Sequence, residues 1–492
     1  MIDELLGTPV EAVMFCLGEG RTMLHDTKVG ELLGHNMEKW NHIVFRRAYQ
    51  NAKSLIDAGH DPLRIVCDRA HEKGLLLYPT LLMQLGGAEW ASDRCSDFRK
   101  NNKHLEIRES GELNADFPFP DGLDFKHEEV RAERLEIIEE VLTDYSVDGL
   151  ELQLNMMPHY FHPDEVGFGI GIMTDYMGRI HEAVKKSASD RELVMRIPCG
   201  IEDCLSVGLD VEEWVRQGIV DVIVGEFFAD QYVAKPHADY RPLLTLTKGT
   251  NCRVHAVLNN TVFSDRLLET PITMTRAMAC NFWAQGVEGL YLAQWFQSWP
   301  YQASFYEKLR EVHDPDIMET KDKFYHVPSR ASVVPGTTPM PLPADLNVGE
   351  PTSITFLVSD DLTRWGAVDR VHEVLLRFRV VQHTELDSLR FCLNGQELPA
   401  AVERRINEVY KMKAPRHRVI FGYWHVFRLS PDLWPVQGEN TVEVTLLERD
   451  PDLVVDHCSL NDIEMEIKYL LGKNFERGFV DEDLGPFEHA AT

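Results

Sequence analysis

The feature that most constrains this chain is a regular alternation of short β-branched runs and longer amphipathic stretches from residue 12 to about residue 310. Such alternation is typical of parallel strands joined by helical crossovers, so it predicts an α/β fold. Over roughly three hundred residues it favours a TIM-type (β/α) barrel over an open sheet. The predicted strands are Ala12–Leu17, Leu75–Met83, Val147–Leu154, Leu193–Pro198, Val220–Phe227, Arg253–Leu258 and Gly289–Trp295. The clearest predicted helices are Glu128–Thr143, Met173–Ser187, Val211–Gln217 and Thr273–Gln285.

The strand count is one short of the usual barrel. Seven strands can be found, whereas a closed barrel of this type has about eight. The chain opens at Met1 in what reads as the end of a helix. We therefore expect the first strand to lie upstream and to be absent from this chain, which leaves an open seam between the first and last strands. No Gly-x-Gly-x-x-Gly follows any strand, so a dinucleotide-binding fold has no support.

The pattern changes after a Pro-rich segment, which we interpret as a linker over residues 326–350. Beyond it the apolar period becomes 2, which predicts an antiparallel β-sandwich of jelly-roll type. The domains are then a barrel at 1–325, a sandwich at 351–471 and a polar C-terminal tail at 472–492. The predicted sandwich strands are Thr352–Val358, His372–Val381, Ser388–Leu393, Arg418–Leu429, Asn440–Leu447 and Ile463–Leu470.

Charge and composition exclude several classes of partner. The formal net charge of −29 argues against nucleic acid, because phosphate binding needs a basic surface. No apolar run reaches the roughly 18 residues of a membrane span. The nine cysteines are dispersed without a Cys-x-x-Cys pair, so neither a disulfide scaffold nor a zinc site is indicated. We expect a cytoplasmic protein, with an upstream signal peptide missing from the chain as the open alternative.

One strand brings polar side chains toward the carboxyl-terminal end of the predicted barrel, where such folds place their active sites. Alternation puts Glu151, Gln153 and Asn155 on one face, with leucines on the other. A carboxylate in that position is costly to bury unless it is paired or functional. Two readings stay open for Glu151: a catalytic group, or a structural ion pair with Arg196 of the next strand.

A second carboxylate, Glu226, ends the strand Val220–Phe227, although a one-residue error in strand parity would turn it outward. Two carboxyl groups across a sugar bond are the minimum for most glycosidase chemistry: one protonates the leaving oxygen, and the other attacks or activates water. We therefore predict Glu151 and Glu226 as the catalytic pair. No Gly-x-Ser-x-Gly elbow supports a serine hydrolase.

Other polar and aromatic residues are predicted to bind substrate around this pair. Aromatic faces with polar groups around them are typical of sugar sites. We expect no cofactor, and no metal either, because His159 and His162 match no strong ligand spacing. The substrate-binding candidates are His25, Asp26, Lys28, Gln153, Asn155, Arg196, His255, Asn259, Gln294 and Trp295.

Several segments of the chain resemble a bacterial family of glycosyl-hydrolase-like barrel proteins. They are His25–Glu31, Asp61–Leu63, Ala70–Gly74, Val147–Glu151, Arg196–Pro198, Gly208–Asp210 and Gln285–Leu292. The resemblance implies a barrel fold, a carbohydrate substrate and glycosidase activity. The C-terminal part resembles the jelly-roll accessory domains of many glycosidases through Leu393–Gly395, Trp424–Leu429 and Gly438–Asn440.

The resemblance also has departures near the predicted mouth. Relatives read Arg-Met-Asn-Asp where this chain has Leu82–Leu85, Glu-Leu-Asp at Glu151–Gln153 and Arg-His at Met156–Met157. Charged positions have thus become neutral or apolar, and Glu151 lacks its usual carboxylate neighbour. The alternative hypothesis is a catalytically inactive barrel that acts as a carbohydrate-binding or scaffold protein.

Overall fold

The computed structural model describes residues 2–84, 87, 92–228, 233–262, 269–293, 303–328, 340–407, 422–454, 457–470, 479–481 and 485–487. Its first half is a parallel sheet of seven strands taken in chain order. All seven predicted strands are present, with ends that shift by at most two residues. They are β1 (Ala12–Glu19), β2 (Leu76–Leu82), β3 (Gly149–Gln153), β4 (Glu192–Pro198), β5 (Val222–Glu226), β6 (Arg253–Asn259) and β7 (Gly289–Ala293).

Helices separate these strands, and the predicted α/β class with a parallel sheet is confirmed. The described helices are α1 (Ile43–Asp57), α2 (Pro62–Glu72), α3 (Asp97–Asn101), α4 (Glu128–Asp144), α5 (Val166–Ser187), α6 (Ile201–Ser206), α7 (Val211–Gln217), α8 (Arg241–Thr247), α9 (Ile272–Gln285), α10 (Ala303–Glu311), α11 (Pro315–Met318) and α12 (Leu362–Gly366). Within the described ranges, none of them is both long and apolar enough to cross a membrane.

The parallel sheet is strongly curled. The Tyr291 hydroxyl on β7 lies 3.0 Å from Oε2 of Glu151 on β3, although three strands separate β3 from β7. In a flat sheet that separation would be roughly 19 Å, because neighbouring strands lie about 4.8 Å apart. The sheet must therefore wrap so that the two side chains meet on its concave side. Among the residues that the structure describes, no pairing joins β1 to β7.

A short return of the chain occupies the outer edge of β1. Thr22–Met23 pairs antiparallel with the end of β1, through Gly18↔Met23 and Glu19↔Thr22. Glu31–Leu32 then adds in parallel to Thr22–Met23. This return reverses the direction of the chain immediately after β1, which affects where the following polar loop lies.

The C-terminal part contains two antiparallel sheets around one hydrophobic core, an arrangement consistent with a β-sandwich. Phe378 and Phe391, one from each sheet, have ring centres 4.9 Å apart. The main strands are β8 (Lys323–His326), β9 (Pro351–Val358), β10 (Val371–Val381), β11 (Ser388–Leu393), β12 (Glu403–Asn407), β13 (Gly422–Arg428), β14 (Gly438–Glu448) and β15 (Ser459–Tyr469).

Two segments predicted to lie outside the sandwich are part of its sheets. β8 pairs antiparallel with β15, so a domain boundary at residue 325 passes through a strand. Ala344–Asp345, within the predicted linker, also pairs with β15. In the predicted polar tail, residues 479–481 and 485–487 form a small two-stranded sheet.

Candidate active site

The concave side of the curled sheet is apolar in its lower part and polar toward the carboxyl ends of the strands. Its apolar cluster contains side chains from five strands: Tyr78, Val194, Val222, Val224, Val257 and Ala293. Gly149 makes room for one of them, because a Cβ at that position would lie 2.5 Å from Cε1 of Tyr78. Above this layer, buried charged and amide side chains from β3, β4 and β5 contact one another.

Glu226 is the last residue of β5, and its side chain has no exposed surface. Its carboxylate forms an ion pair with Arg196 and accepts hydrogen bonds from Nε2 of Gln153 at 3.2 Å and Nδ2 of Asn155 at 3.4 Å. The structure therefore places Glu226 on the concave side, together with three of the residues predicted to accompany it. Asn155 also donates to the carbonyl oxygen of Phe227 at 2.7 Å.

Glu151 is the middle residue of β3, so it lies deeper than Glu226, and it too has no exposed side-chain surface. Oε2 accepts hydrogen bonds from Oγ1 of Thr80 and from the Tyr291 hydroxyl. Oε1 is buried and has no hydrogen-bond partner among the residues that the structure describes. Burial raises the pKa of Glu151, outweighing the opposing effect of Arg196 and the two hydroxyl donors.

Arg196 on β4 stands between the two carboxyl groups. Nη2 pairs with Glu226, whereas Nη1 lies 3.9 Å from Oε1 of Glu151. Its guanidinium also lies over the Tyr291 ring, 4.7 Å from the centroid. The ion pair that we considered for Glu151 is thus made mainly with Glu226, because strand β5 brings that carboxylate closer to the guanidinium.

The sequence analysis missed two residues that hold Glu151, Thr80 and Tyr291. Thr80 is the one aliphatic hydroxyl in the mainly apolar run of β2, and such an isolated polar residue was a usable signal. Tyr291 and Ala293 lie two residues apart on β7, so their side chains face the same side of the sheet. Strand parity alone therefore placed Tyr291 on the concave face. The candidates predicted at the end of that strand were Gln294 and Trp295 instead.

The loop after β1 does not reach this site, which corrects the prediction for His25, Asp26 and Lys28. The amide of Lys28 donates to Glu140 at 2.5 Å, and Nζ of Lys28 bonds to Asp144 at 2.7 Å.

His25 is buried near the same helix, with Nε2 3.8 Å from Glu140 and its ring edge-on to Tyr145. Asp26 is exposed between them. α4 ends at Asp144, just before β3 begins, so these contacts lie at the amino-terminal edge of the sheet. The antiparallel return Thr22–Met23 explains the error, because it turns the chain away from the carboxyl-terminal edge.

The two candidates on β6 have different positions. His255, the third residue of the strand, faces the concave side near its amino-terminal end, so it lies below the predicted mouth. Burial lowers the pKa of His255 to about 4. Asn259 ends the strand; its amide donates to the carbonyl of Val233 at 3.3 Å, and within the described part of the chain its buried Oδ1 has no hydrogen-bond partner. Gln294 and Trp295 lie outside the described residues.

A cavity of about 320 Å³ lies beyond the carboxyl ends of β3, β4 and β5. Its walls are mainly aromatic and apolar and include Phe117, His159, Phe161 and Phe228. The His159 ring packs edge-on against Phe117 with 5.1 Å between centroids, and burial lowers the pKa of His159 to about 4. Phe228, which lines the cavity, follows Glu226 by two residues, so the two sites share one segment of the chain.

Comparison with known proteins leaves the family open. No family model matches the chain, and no curated protein matches it. Among solved structures, an α-L-fucosidase isoenzyme 2 from Paenibacillus thiaminolyticus shares 14% identity at a TM-score of 0.37, covering 63% of this chain and 44% of its own.

Two further solved structures are of the same general kind. A GH36 α-galactosidase from Geobacillus stearothermophilus shares 11% identity at a TM-score of 0.34 and covers 95% of this chain and 52% of its own. A variant of the glycoside hydrolase domain of PelA from Pseudomonas aeruginosa shares 12% identity at a TM-score of 0.32 and covers 46% of this chain and 82% of its own. These neighbours are glycoside hydrolases at low identity and low TM-score. The chain spans about half the length of the first two.

Proposed function

We propose that this protein is a glycoside hydrolase that acts on an oligo- or polysaccharide through Glu151 and Glu226. The observation that carries the proposal is the arrangement of the two carboxyl groups on either side of Arg196, on β3 and β5 of one concave surface. Pairs of carboxyl groups in such unequal surroundings are the usual source of separate acid and base roles in glycosidases.

The two carboxyl groups suit different tasks. Burial raises the pKa of Glu151, which favours its protonated form more than in an exposed glutamate. Among the described residues Oε1 has no hydrogen-bond partner, so a proton carried there is not engaged by another side chain. Glu226 is paired with Arg196 and receives two amide donors, as expected of the ionised partner that attacks the sugar or activates water.

In this proposal the substrate also contacts the aromatic cavity, whose lining residue Phe228 follows Glu226 by two residues. Sugar rings stack their apolar faces on aromatic side chains, and Phe117, His159 and Phe228 present such faces. In this proposal the curled sheet is a (β/α) barrel. Apart from β8 and Ala344–Asp345, which pair with the C-terminal sheets, the domain limits 1–325, 326–350, 351–471 and 472–492 and the jelly-roll character of the accessory domain are part of the same proposal.

A second candidate is a carbohydrate-binding or scaffold protein without catalysis. The observation in its favour is that neither Glu151 nor Glu226 has exposed side-chain surface, since a working carboxylate must reach its substrate. In that case the Arg196 cluster is a structural ion-pair network. Removing one member of such a network costs stability rather than turnover.

The test is to screen oligosaccharides for reducing-end release and to compare Glu151→Gln and Glu226→Gln with the wild type. Each change keeps the side-chain shape while removing the acid. We expect turnover to fall by about 10²- to 10⁴-fold, the usual contribution of a general acid or base. Thermal midpoints are measured on the same samples.

The matched control is Glu133→Gln. Glu133 forms an ion pair with Arg134 that is also buried, but it lies on α4, away from the concave side. The Glu133→Gln variant should have a lower thermal midpoint and unchanged turnover. Wild-type activity in both site variants would remove the carboxylates from the catalytic assignment. Oligosaccharide binding by calorimetry without any reducing-end release would favour the second candidate.

A further inference from the structure

The aromatic cavity beyond β3, β4 and β5 is lined mainly by rings, whereas the carboxylate cluster is charged. The segments that follow β2, β3, β4 and β5 all contribute to its wall, and its volume is about 320 Å³. An apolar protein cavity of about 150 Å³ takes up one benzene ring. This cavity therefore has room for a ligand group of about two fused rings.

His159 lies at the centre of a cluster of rings on one side of the cavity. Its imidazole packs edge-on against Phe117 and Phe228, with 5.1 and 6.4 Å between ring centroids, and lies tilted against Phe119 at 5.7 Å. Phe117, His159 and Phe228 are only half-buried, so part of their apolar surface still faces water. Apolar surface that is grouped in one recess is typical of a binding site, because covering it is favourable.

Phe161 forms another part of the wall, and two glycines leave the space that its ring fills. A Cβ on Gly169 of α5 would lie 2.5 Å from Cδ2 of Phe161. A Cβ on Gly208, in the segment after β4, would lie 3.0 Å from the same atom. The two neighbouring segments are therefore shaped to hold this ring in place.

Hydrogen bonds also fix the segment that carries His159 and Phe161. The carbonyl oxygen of His159 accepts from Nε2 of Gln84 at 2.8 Å. The Tyr160 hydroxyl donates to the carbonyl oxygen of Leu154 at 2.7 Å. The wall is thus formed before any ligand arrives, so little conformational freedom is lost on binding.

The wall offers few hydrogen-bonding groups. None of the described lining residues is a Lys, Arg, Asp or Glu, and burial lowers the pKa of His159 to about 4, so the wall is uncharged at pH 7. Ser206, at the exposed rim, already donates to the carbonyl oxygen of Asp203. A sugar that stacks at the rim keeps its hydroxyl groups in water. A sugar ring that filled the cavity would leave hydroxyl groups unpaired, a cost that an uncharged aromatic group avoids.

We propose that this cavity binds an uncharged aromatic group of one or two rings, either as a free compound or as the aryl substituent of a glycoside. Glu226 and Phe228 are two residues apart, so their Cα atoms lie at most about 7 Å apart. A glycoside with an aryl group is long enough to reach both places. Binding in the cavity does not depend on hydrolysis at the carboxylate cluster.

The experiment titrates 2-naphthol into the full chain by calorimetry. We expect saturable binding to one site, and Phe117→Ala should weaken it about 3- to 10-fold, the usual contribution of one aromatic contact. Ser206→Trp should weaken it more, because the new ring enters the cavity from the rim. The anion 2-naphthoate should bind at least about 10-fold more weakly than 2-naphthol, since its charge finds no partner in the wall.

The matched control is Phe168→Ala. Phe168 is 71% exposed on α5 and is not among the described residues that line the cavity. Affinity for 2-naphthol that falls in Phe117→Ala and is kept in Phe168→Ala supports the proposal. No saturable binding by the wild type, unchanged affinity in both Phe117→Ala and Ser206→Trp, or 2-naphthoate binding as tight as that of 2-naphthol overturns it. Glu151→Gln should bind 2-naphthol like the wild type, so a failure of the proposed hydrolysis is distinguishable.

A measurement on the wild type keeps the test decisive if a cavity variant fails to fold. Difference density in crystals soaked with 2-naphthol locates the ring directly. A ring in contact with Phe117 and His159 supports the proposal, and a ring bound only elsewhere overturns it. Tighter binding of 2-naphthyl glycosides than of 2-naphthol identifies the group as part of a glycoside; equal or weaker binding identifies a free compound. Either result supports the cavity as an aromatic site.

Discussion

Arg196 is the residue on which the buried carboxylate cluster depends. Replacing Arg196 by Met keeps much of its volume but leaves Glu226 buried without a cation. Removing one partner of a buried pair typically costs about 3–5 kcal/mol. We expect a loss of that size in the free energy of unfolding, measured by urea denaturation at neutral pH.

The double variant Arg196→Met/Glu226→Gln is the control for that prediction. It removes both charges, so it should recover part of the stability that Arg196→Met loses. The recovered part measures the coupling between the two side chains. A loss below about 1 kcal/mol in the single variant, the value of a surface pair, would contradict the buried cluster.

Glu140 links the loop after β1 to α4 and should contribute to stability in a pH-dependent way. Burial opposes the shift, but the nearby His25 ring and hydrogen bonds from the Thr27 hydroxyl and the amide of Lys28 lower the pKa of Glu140 to about 2. Its ordinary pKa in the unfolded chain is about 4.3. The contribution is therefore complete above that pH and is lost as the pH falls toward 2.

The measurement compares the wild type with Glu140→Gln by urea denaturation between pH 7 and pH 3. We expect Glu140→Gln to be less stable by about 2 kcal/mol at pH 7, with the difference shrinking at the acidic end. Lys53→Gln, which breaks the exposed pair with Asp57, serves as control and should change stability by less than about 1 kcal/mol. A difference for Glu140→Gln that does not vary with pH would contradict the role of its charge.

At the scale of elements, β3 packs against β2 through a glycine. A Cβ on Gly149 would lie 2.5 Å from Cε1 of Tyr78, a contact that the ring cannot avoid without moving. We expect Gly149→Ala to lower the free energy of unfolding by about 1–3 kcal/mol through overpacking. Gly171→Ala is the matched control: it lies exposed in α5 with no atom within 4 Å of the new Cβ.

In the control, the change in the free energy of unfolding should have the opposite sign. Alanine is favoured over glycine within a helix by about 1 kcal/mol, so Gly171→Ala should stabilise the protein slightly. Thermal midpoints of both variants give the comparison. Equal effects of the two changes would show that β3 does not need a glycine at position 149.

At the scale of the whole molecule, β8 belongs to the C-terminal sheets, although it directly follows the parallel-sheet part of the chain. Lys323 and Tyr325 of β8 both contact the buried carboxylate of Asp360, with Lys323 Nζ at 2.9 Å from it. A fragment that starts after residue 340 loses both contacts and exposes the edge of β15.

We therefore expect a fragment 320–470 to melt well above a fragment 344–470. Without the Lys323 ion pair and the Tyr325 hydrogen bond, the Asp360 carboxylate keeps the hydrogen bond from the Tyr469 hydroxyl, at 2.5 Å. A destabilisation of about 3 kcal/mol would lower the midpoint by more than 10 °C in a domain of this size. Equal midpoints, followed by circular dichroism, would contradict the assignment of β8 to these sheets.

Local pattern was sufficient to predict much of this protein. The seven parallel strands, the clearest helices between them and six of the later antiparallel strands follow from apolar periodicity, because burial on one or both faces dictates which positions must be apolar. Strands β8 and β12 were not predicted. Strand parity also anticipated that Glu151 and Glu226 would share a surface. These features depend on neighbours within a few residues.

Only the tertiary structure decided which distant groups meet. The curl of the sheet brings Tyr291 to Glu151, and the position of Glu226 on β5 takes Arg196 away from Glu151. The return at Thr22–Met23 moves His25 to the opposite edge of the sheet, and β8 joins strands more than a hundred residues later. The physical reason is that sheet curvature and the pairing of distant strands are set by the packing of the whole chain, which periodicity along the sequence does not encode.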